Sequence, residues 1–264
     1  MTNRSGRSET EPEALARLYD VDVSEDPGDV DLYRALAART GGPLLELAVG
    51  SGRLANVLAG EGYAVTGVDR DPAMLARART AARNAGLAKE APVLLEADVT
   101  ALSLPAAGSF RLAFVALNSF LLLASRAAQR ETLRVMARHL APGGLAVVDV
   151  WQPDAEDLAR FDGRVILEYA ARPTGDGRVV TKWGSALHDP SRQLVTLTTV
   201  FDEGRSGEPP ARWTRTDRLR LLSADELGGF AEDAGLEVEL LAGGYDLDQA
   251  GATADRAILV AVRP

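Results

Sequence analysis

The stretch Leu44 to Ala55, LLELAVGSGRLA, constrains the fold more than any other part of the chain. An apolar run from Leu44 to Val49 contains one acid, Glu46, and breaks at Gly50-Ser51-Gly52. Helical spacing resumes at Arg53. Strand, tight glycine turn and helix, in that order, are how a parallel α/β sheet aims backbone N–H groups at a nucleotide-like ligand. Glycine serves there because the backbone must turn sharply and approach the ligand with no Cβ between them. Gly50, Gly52 and Ala55 also satisfy the G-x-G-x-x-G/A spacing of dinucleotide binding, which only its context can confirm.

The flanking pattern repeats the same unit. Pro12 to Tyr19 has helical spacing, and Asp20 to Asp29, with Pro27-Gly28, is a loop. Val30 to Arg39 is amphipathic and stops at Gly41-Gly42. Arg53 to Ala59 is the helix after the glycine turn. Tyr63 to Val68 is a second strand ending at Asp69, seventeen residues past Gly52, where an acid meets a ribose in nucleotide-binding sheets. Asp71 caps the helix Pro72 to Ala85. A third strand, Val93 to Ala97, leads into Asp98-Val99. A fourth, Phe110 to Leu117, runs into Asn118-Ser119-Phe120, at the strand end that faces a ligand crevice. Arg126 to Leu140 is a helix closed by Ala141-Pro142-Gly143-Gly144, and Leu145 to Trp151 is a fifth strand.

The period then changes. Val165 to Ala171, Arg178 to Leu187, Gln193 to Phe201 and Arg212 to Leu221 read as strands separated by turn clusters such as Pro173-Thr174-Gly175-Asp176-Gly177. They form an antiparallel meander. At Ser223 the α/β pattern returns. Ser223 and Glu226 have capping-box spacing for a helix through Ala234, and Leu236 to Leu241 and Ala257 to Val262 are two last strands.

Composition narrows the function. The 264 residues contain no cysteine, which excludes disulfides, thiolate metal sites and a cysteine nucleophile. The two histidines, His139 and His188, lack ligand spacing, so no metal is expected. A formal net charge of −9 disfavours nucleic acid, whose binding rests on neutralised phosphates, and favours a small-molecule partner. The polar N-terminus, residues 1–10, reads as a disordered tail and not as a secretory signal. No apolar run reaches the ~20 residues of a membrane span, so a soluble, cytoplasmic protein is expected, monomeric or homodimeric.

Glu46 followed by Gly50 and Gly52 resembles motif I of the class I S-adenosylmethionine-dependent methyltransferases, E/D-x-G-x-G-x-G, with Ala48 at the first glycine position. Asp69, Asp98-Val99 and the segment HLAPGGLAVVDVW resemble the later motifs of that family, in order. The resemblance runs from Val30 to the end. It is nearest to small-molecule enzymes with a β insertion after strand five, such as the glycine, sarcosine and amino-sugar N-methyltransferases. It implies an α/β fold: a Rossmann-like seven-stranded sheet with helices on both faces and an antiparallel last strand, plus the meander. The implied organisation is a methyltransferase domain over 11–164 and 223–264, with a helical lid, and an insertion over 165–222 that serves as a substrate cap or dimer surface.

The resemblance also implies roles for residues. Glu46, Gly50 and Gly52 surround the methionine part of S-adenosylmethionine, whose product form is S-adenosylhomocysteine, and Ala48 and Arg53 also bind the cofactor. Asp69 holds the ribose, Arg70 and Met74 pack near the adenosine, and Asp98 and Val99 hold the adenine. Asn118 sits near the methionine end, Ser119 beside it also binds the cofactor, and Tyr19 and Tyr33 reach in from the lid. Substrate candidates are Phe120, Trp151, Tyr169, Arg172, Lys182, Trp183, Trp213, Arg215 and Tyr245. An arginine or lysine among them could clamp a carboxylate or phosphate; as alternating positions of a sheet they could equally face solvent. His188, in an expected hairpin turn, and Tyr19 are the candidates for a catalytic proton acceptor. His139 reads as structural. With no convincing base, N-methylation of a small amine is favoured over O-methylation, since an amine can arrive with its lone pair free. A nicotinamide-dependent dehydrogenase, which requires a parallel sixth strand, and a non-catalytic S-adenosylmethionine binder are the alternatives.

Overall fold

A computed structural model describes residues 9–23, 27–87, 89–174, 176–205, 207–249 and 254–264. The expected tail at 1–10 lies almost wholly outside the described residues, as does Gly175 of the first turn cluster.

The elements follow in the order α1 (Glu11–Asp22), α2 (Val30–Thr40), β1 (Leu44–Leu47), α3 (Arg53–Gly60), β2 (Val65–Asp69), α4 (Pro72–Asn84), β3 (Val93–Glu96) and β4 (Phe110–Val115). A 3-10 turn at Ser119–Leu122 precedes α5 (Arg126–His139), β5 (Leu140–Trp151) and α6 (Ala155–Arg160). Then come β6 (Asp162–Pro173), β7 (Val179–Asp189), β8 (Leu194–Gly204), β9 (Ala211–Arg220), α7 (Ala224–Asp233), β10 (Glu237–Ala242) and β11 (Arg256–Val262).

One sheet has seven strands in the order β10-β11-β5-β4-β1-β2-β3. β1, β2, β3, β4 and β5 run parallel, whereas β11 runs antiparallel to both β5 and β10. That antiparallel strand is the arrangement expected of the methyltransferase sheet and not of the dehydrogenase one. Apolar residues fill both faces, as a sheet flanked by helices requires. Leu133 and Met136 of α5 and Phe230 of α7 pack on one face; Leu36 of α2 and Leu54 and Leu58 of α3 pack on the other. Side-chain caps start several helices: the Asp71 carboxylate accepts from the Ala73 amide, and the Ser125 hydroxyl from that of Ala128.

The second sheet, β6-β7-β8-β9, is the expected antiparallel meander. Helix α1 packs on its inner face. Leu18 lies among Val180 and Phe201, Arg17 makes a two-pronged pair with Glu203 at 2.7 and 2.9 Å, and Lys182 pairs with Asp22 at 2.6 Å. The other side of α1 pairs with the seven-stranded sheet's flank through Asp20 and Arg77 of α4.

Three local expectations change. Ala141-Pro142-Gly143-Gly144 does not stop a helix ahead of a separate strand; β5 already begins at Leu140 and absorbs the segment as an irregularity. Gly144 is required there, since a Cβ would come within 2.9 Å of the Ala141 and Phe110 carbonyl oxygens. Helix α6 was not expected, and none of its six residues is buried. At α7 the Ser223 hydroxyl accepts from the Glu226 amide at 3.1 Å, but the Glu226 carboxylate is taken by Arg220 at 2.9 and 3.0 Å. Half of the capping box forms.

Candidate functional site

Because the central strands are parallel, the loops after β1, β2, β3 and β4 gather at one edge of the sheet. After β1 the chain turns through Ala48, Gly50 and Gly52, with φ of +59°, +54° and +80°. Ala48 thus occupies a left-handed conformation that glycine adopts without strain, which is why the family pattern carries glycine there. Gly52 has a second reason: a Cβ would sit 2.9 Å from the Ala78 Cβ, so the turn passes directly over α4. The Gly50 amide donates to Asp69 Oδ2 at 2.8 Å and the Asp71 amide to Asp69 Oδ1 at 2.9 Å, so Asp69 ties the first loop to the second.

These loops enclose a cavity of about 480 Å³. Of the expected cofactor residues, Tyr19, Glu46, Ala48, Gly50, Arg53, Asp69, Arg70, Met74, Asp98, Val99 and Ser119 line it. Three do not. Gly52 shapes the turn from behind. Tyr33 is fully buried against Phe114, with ring centroids 4.6 Å apart. Asn118, at φ +66°, turns its Oδ1 to the Trp151 amide at 2.7 Å and to Arg256 at 3.3 Å.

The electrostatics of the floor are acidic. Glu46 is 4% exposed, and its Oε2 has no hydrogen-bond partner. Burial pushes its carboxyl up to about 8, with Arg53 opposing. Arg53 is itself clamped by the fully buried Asp29 through two 2.6 Å bonds. Deeper in, Asp149 pairs with Arg256 and accepts from the Tyr245 hydroxyl at 3.3 Å. Burial raises Asp149 and Arg256 lowers it. At the rim, the hydroxyl and amide of Thr100 hold Asp98 below the usual carboxylate range.

A second cavity of about 290 Å³ adjoins the first and shares Tyr19, Leu117, Leu122 and Arg215 with it. Its other walls include Asp22 from α1, Asn118, and Lys182, Phe201, Asp217 and Leu219 of the meander. Lys182 is held between Asp22 and Glu168 and Arg215 by Asp217 at 2.6 Å, so each cation already has a carboxylate. Burial raises the Tyr19 phenol, which keeps it protonated.

The remaining substrate candidates lie elsewhere. Phe120 is core, and Trp151 packs on Phe161. Tyr169 stacks under Arg172, whose guanidinium reaches the Val21 carbonyl. The Trp183 indole donates to Asp202, Trp213 joins the packing beneath α1, and Tyr245 bonds Asp149. His188 is not in a turn; it lies in β7 and lines a separate open groove with Gln152 and Pro190. His139 is structural, as expected: Nε2 accepts from the Leu104 amide and Nδ1 donates to the Val135 carbonyl. Among the described residues, no group of three or more His, Asp or Glu side chains is placed to hold a metal ion. The sequence reading missed Asp29, which looked like a loop end, and Leu117, Leu122 and Leu123, whose only signal was an apolar run continuing past Asn118.

The contents fit S-adenosylmethionine. An unpartnered buried carboxylate oxygen faces the cavity beside the glycine turn, where a cationic amino-acid end would sit, and the rim acids stand where ribose and adenine donors would need acceptors. Together with the antiparallel β11, this defines a class I methyltransferase fold. Residues 44–144 match the family described as Methyltransferase domain. A dTDP-4-amino-2,3,4,6-tetradeoxy-D-glucose N,N-dimethyltransferase from Saccharopolyspora spinosa is 31% identical over 125 residues, which span 43% of this chain and 42% of that protein. The match therefore covers less than half of the curated relative. An S-adenosylmethionine-dependent methyltransferase from Clostridium acetobutylicum ATCC 824 superposes with a TM-score of 0.77 at 18% identity, over 94% of this chain and 97% of the other. The sugar N-methyltransferase KedS8 from Streptoalloteichus sp ATCC 53650 does so at 0.73 and 23%, over 100% and 97%.

Proposed function

We propose that the protein transfers a methyl group from S-adenosylmethionine to the amine of a small, sugar-like acceptor. The observation that carries this reading is the pair of adjoining cavities with shared walls at Tyr19, Leu117, Leu122 and Arg215: one beside the motif loops, one against the meander. When bound, the cofactor supplies an electrophilic methyl on a positively charged sulfur. Glu46, Gly50 and Ser51 would hold its amino-acid end, Asp69 its ribose, and Asp98 and Val99 its adenine. The protein's own task is to align donor and acceptor and to exclude water, which can supply much of the acceleration.

The second cavity suits an amine on a partly deoxygenated ring. Leu122, Leu197, Leu219 and Phe201 offer an apolar wall, and the Asp22–Lys182 and Asp217–Arg215 pairs offer hydrogen-bond acceptors and donors to ring substituents. In this reading residues 165–222 are the acceptor-binding unit and the rest is the cofactor-binding unit. No imidazole faces either cavity among the described residues, which favours nitrogen over a hydroxyl acceptor. The similarity to an N,N-dimethyltransferase of an amino sugar supports the same acceptor class.

The test is calorimetric titration with S-adenosylhomocysteine, followed by turnover on nucleotide-linked amino sugars read by mass spectrometry. Absence of cofactor binding by folded protein refutes the reading. Binding with no turnover on any amine would select the non-catalytic alternative.

A further inference from the structure

We propose that Thr199 selects the acceptor, by hydrogen bonding a hydroxyl on the ring carbon next to the one that bears the amine. The inference rests on the methyl-transfer reading above and adds to it the acceptor's pattern of oxygens. Strand alternation puts Leu197, Thr199 and Phe201 of β8 on the face that meets α1, and all three line the cavity against the meander. Leucine and phenylalanine suit a floor beneath a packed helix; threonine does not. Thr199 is 7% exposed, and among the described residues its hydroxyl has no hydrogen-bond partner within the protein. A buried hydroxyl without a partner destabilises a fold, and valine would fill the same space without that penalty. The outer face of β8 differs: there the Thr198 hydroxyl lies 3.5 Å from that of Thr216.

The polar neighbours of Thr199 in this cavity are already engaged. Lys182 lies between Asp22 and Glu168 at 2.6 and 2.7 Å, Arg215 rests on Asp217 at 2.6 Å, and Asn118 Oδ1 accepts from the Trp151 amide at 2.7 Å. Gly184, which faces Thr199 across the strand pair, lets Glu168 reach Lys182, because a Cβ at 184 would collide with Glu168 Oε1. That carboxylate is thereby directed to the lysine and leaves Thr199 to a ligand. On its other side Thr199 pairs in register with Arg215 of β9, which stands on the wall shared by both cavities. Residues facing each other across an antiparallel pair have Cα atoms about 4.5–5.5 Å apart. A hydrogen bond of ~2.8 Å together with the separation of two heteroatoms on neighbouring ring carbons spans that distance. An amine at the shared wall therefore brings the adjacent ring hydroxyl to Thr199, whose own hydroxyl can both donate and accept.

The test compares nucleotide-linked amino sugars in pairs, with the amine on carbon 3 or carbon 4 and with or without a hydroxyl on the neighbouring carbon. For wild type, kcat/KM should be at least about tenfold higher on the hydroxylated member of the pair. In Thr199→Val that ratio should fall to within about twofold of unity, and Thr199→Ser, which keeps the hydroxyl, should retain it. Calorimetric titration with S-adenosylhomocysteine should give the same affinity for all three proteins, since Thr199 does not line the first cavity. Without acceptor, Thr199→Val should unfold at the same urea concentration as wild type or a higher one. A lower midpoint would show that the hydroxyl already has a partner inside the fold, and overturns the inference. Equal kcat/KM on both members with wild type, or a preference that survives Thr199→Val, overturns it too and leaves methyl transfer standing. Folded wild type that binds S-adenosylhomocysteine and methylates no amino sugar removes the methyl-transfer reading, and this inference with it.

Discussion

Glu46 offers the sharpest quantitative test of the site. Its carboxyl is fully surrounded and pushed up to about 8 from an ordinary value of 4.5, chiefly by loss of solvent. Between those values the folded protein keeps a proton that the unfolded chain has released. Stability must therefore fall as pH rises through this window, and level off above it. At about 1.4 kcal/mol per unit, the full span is worth up to roughly 5 kcal/mol. Glu46→Gln has nearly the same shape and no charge, and escapes this penalty. Urea denaturation of both proteins at pH 5, 6.5 and 8 should show near-equal stability at pH 5 and an advantage of at least about 2 kcal/mol for the variant at pH 8. The same group predicts proton release on ligand binding. A cationic amino-acid end beside Glu46 favours the carboxylate, so titration of S-adenosylhomocysteine near pH 7 should release a large fraction of a proton in wild type, read from the dependence of the heat on buffer ionisation enthalpy. That release should vanish in Glu46→Gln. Parallel stability profiles for the two proteins across the pH range would refute the reasoning.

Other perturbations follow from the same geometry. Gly52→Ala combines a left-handed φ with a Cβ only 2.9 Å from Ala78, and should cost about 1–3 kcal/mol of stability and at least tenfold in S-adenosylhomocysteine affinity. Arg256→Met leaves the buried Asp149 without its cation; denaturation should show a loss of about 3–5 kcal/mol at neutral pH. That deficit should shrink towards pH 5, because the isolated carboxyl takes up a proton in the fold. His188→Ala should leave the methylation rate on an amine acceptor within about twofold of wild type, whereas removing a true general base costs ~10²–10⁴.

The fold was legible because its signals are local and repeat. A glycine turn after the first apolar run, followed by strands that alternate with helical segments, announces a parallel sheet, and parallel strands bring Glu46, Asp69 and Asp98 to one edge without any long-range information. The meander was legible from alternation and turn clusters. Roles within the meander were not, because one residue of register decides whether a side chain faces α1 or the outside. Lys182 and Arg215 fell on the inner face and Trp183 on the outer. Tyr33 was misread for a related reason: a tyrosine on an amphipathic helix has the same spacing whether it packs on Phe114 or reaches a ligand. Asp29 with Arg53 and Asp149 with Arg256 are pairs between distant segments, and nothing in either segment announces the other. Helix α6 has no buried side chain, so it left no periodic trace.

Helix α1 is tied to both sheets, through Asp20 to Arg77 on one side and through Arg17 and Asp22 to Glu203 and Lys182 on the other, and it contributes Tyr19 to both cavities. Under the proposed function, one strap would therefore guard both the exchange of spent donor and the departure of the acceptor. For a nitrogen that receives two methyls, renewing the donor would then require the same opening that frees the half-finished product. Methylation would then be distributive, and a time course begun with excess acceptor would accumulate the monomethyl species before the dimethyl one.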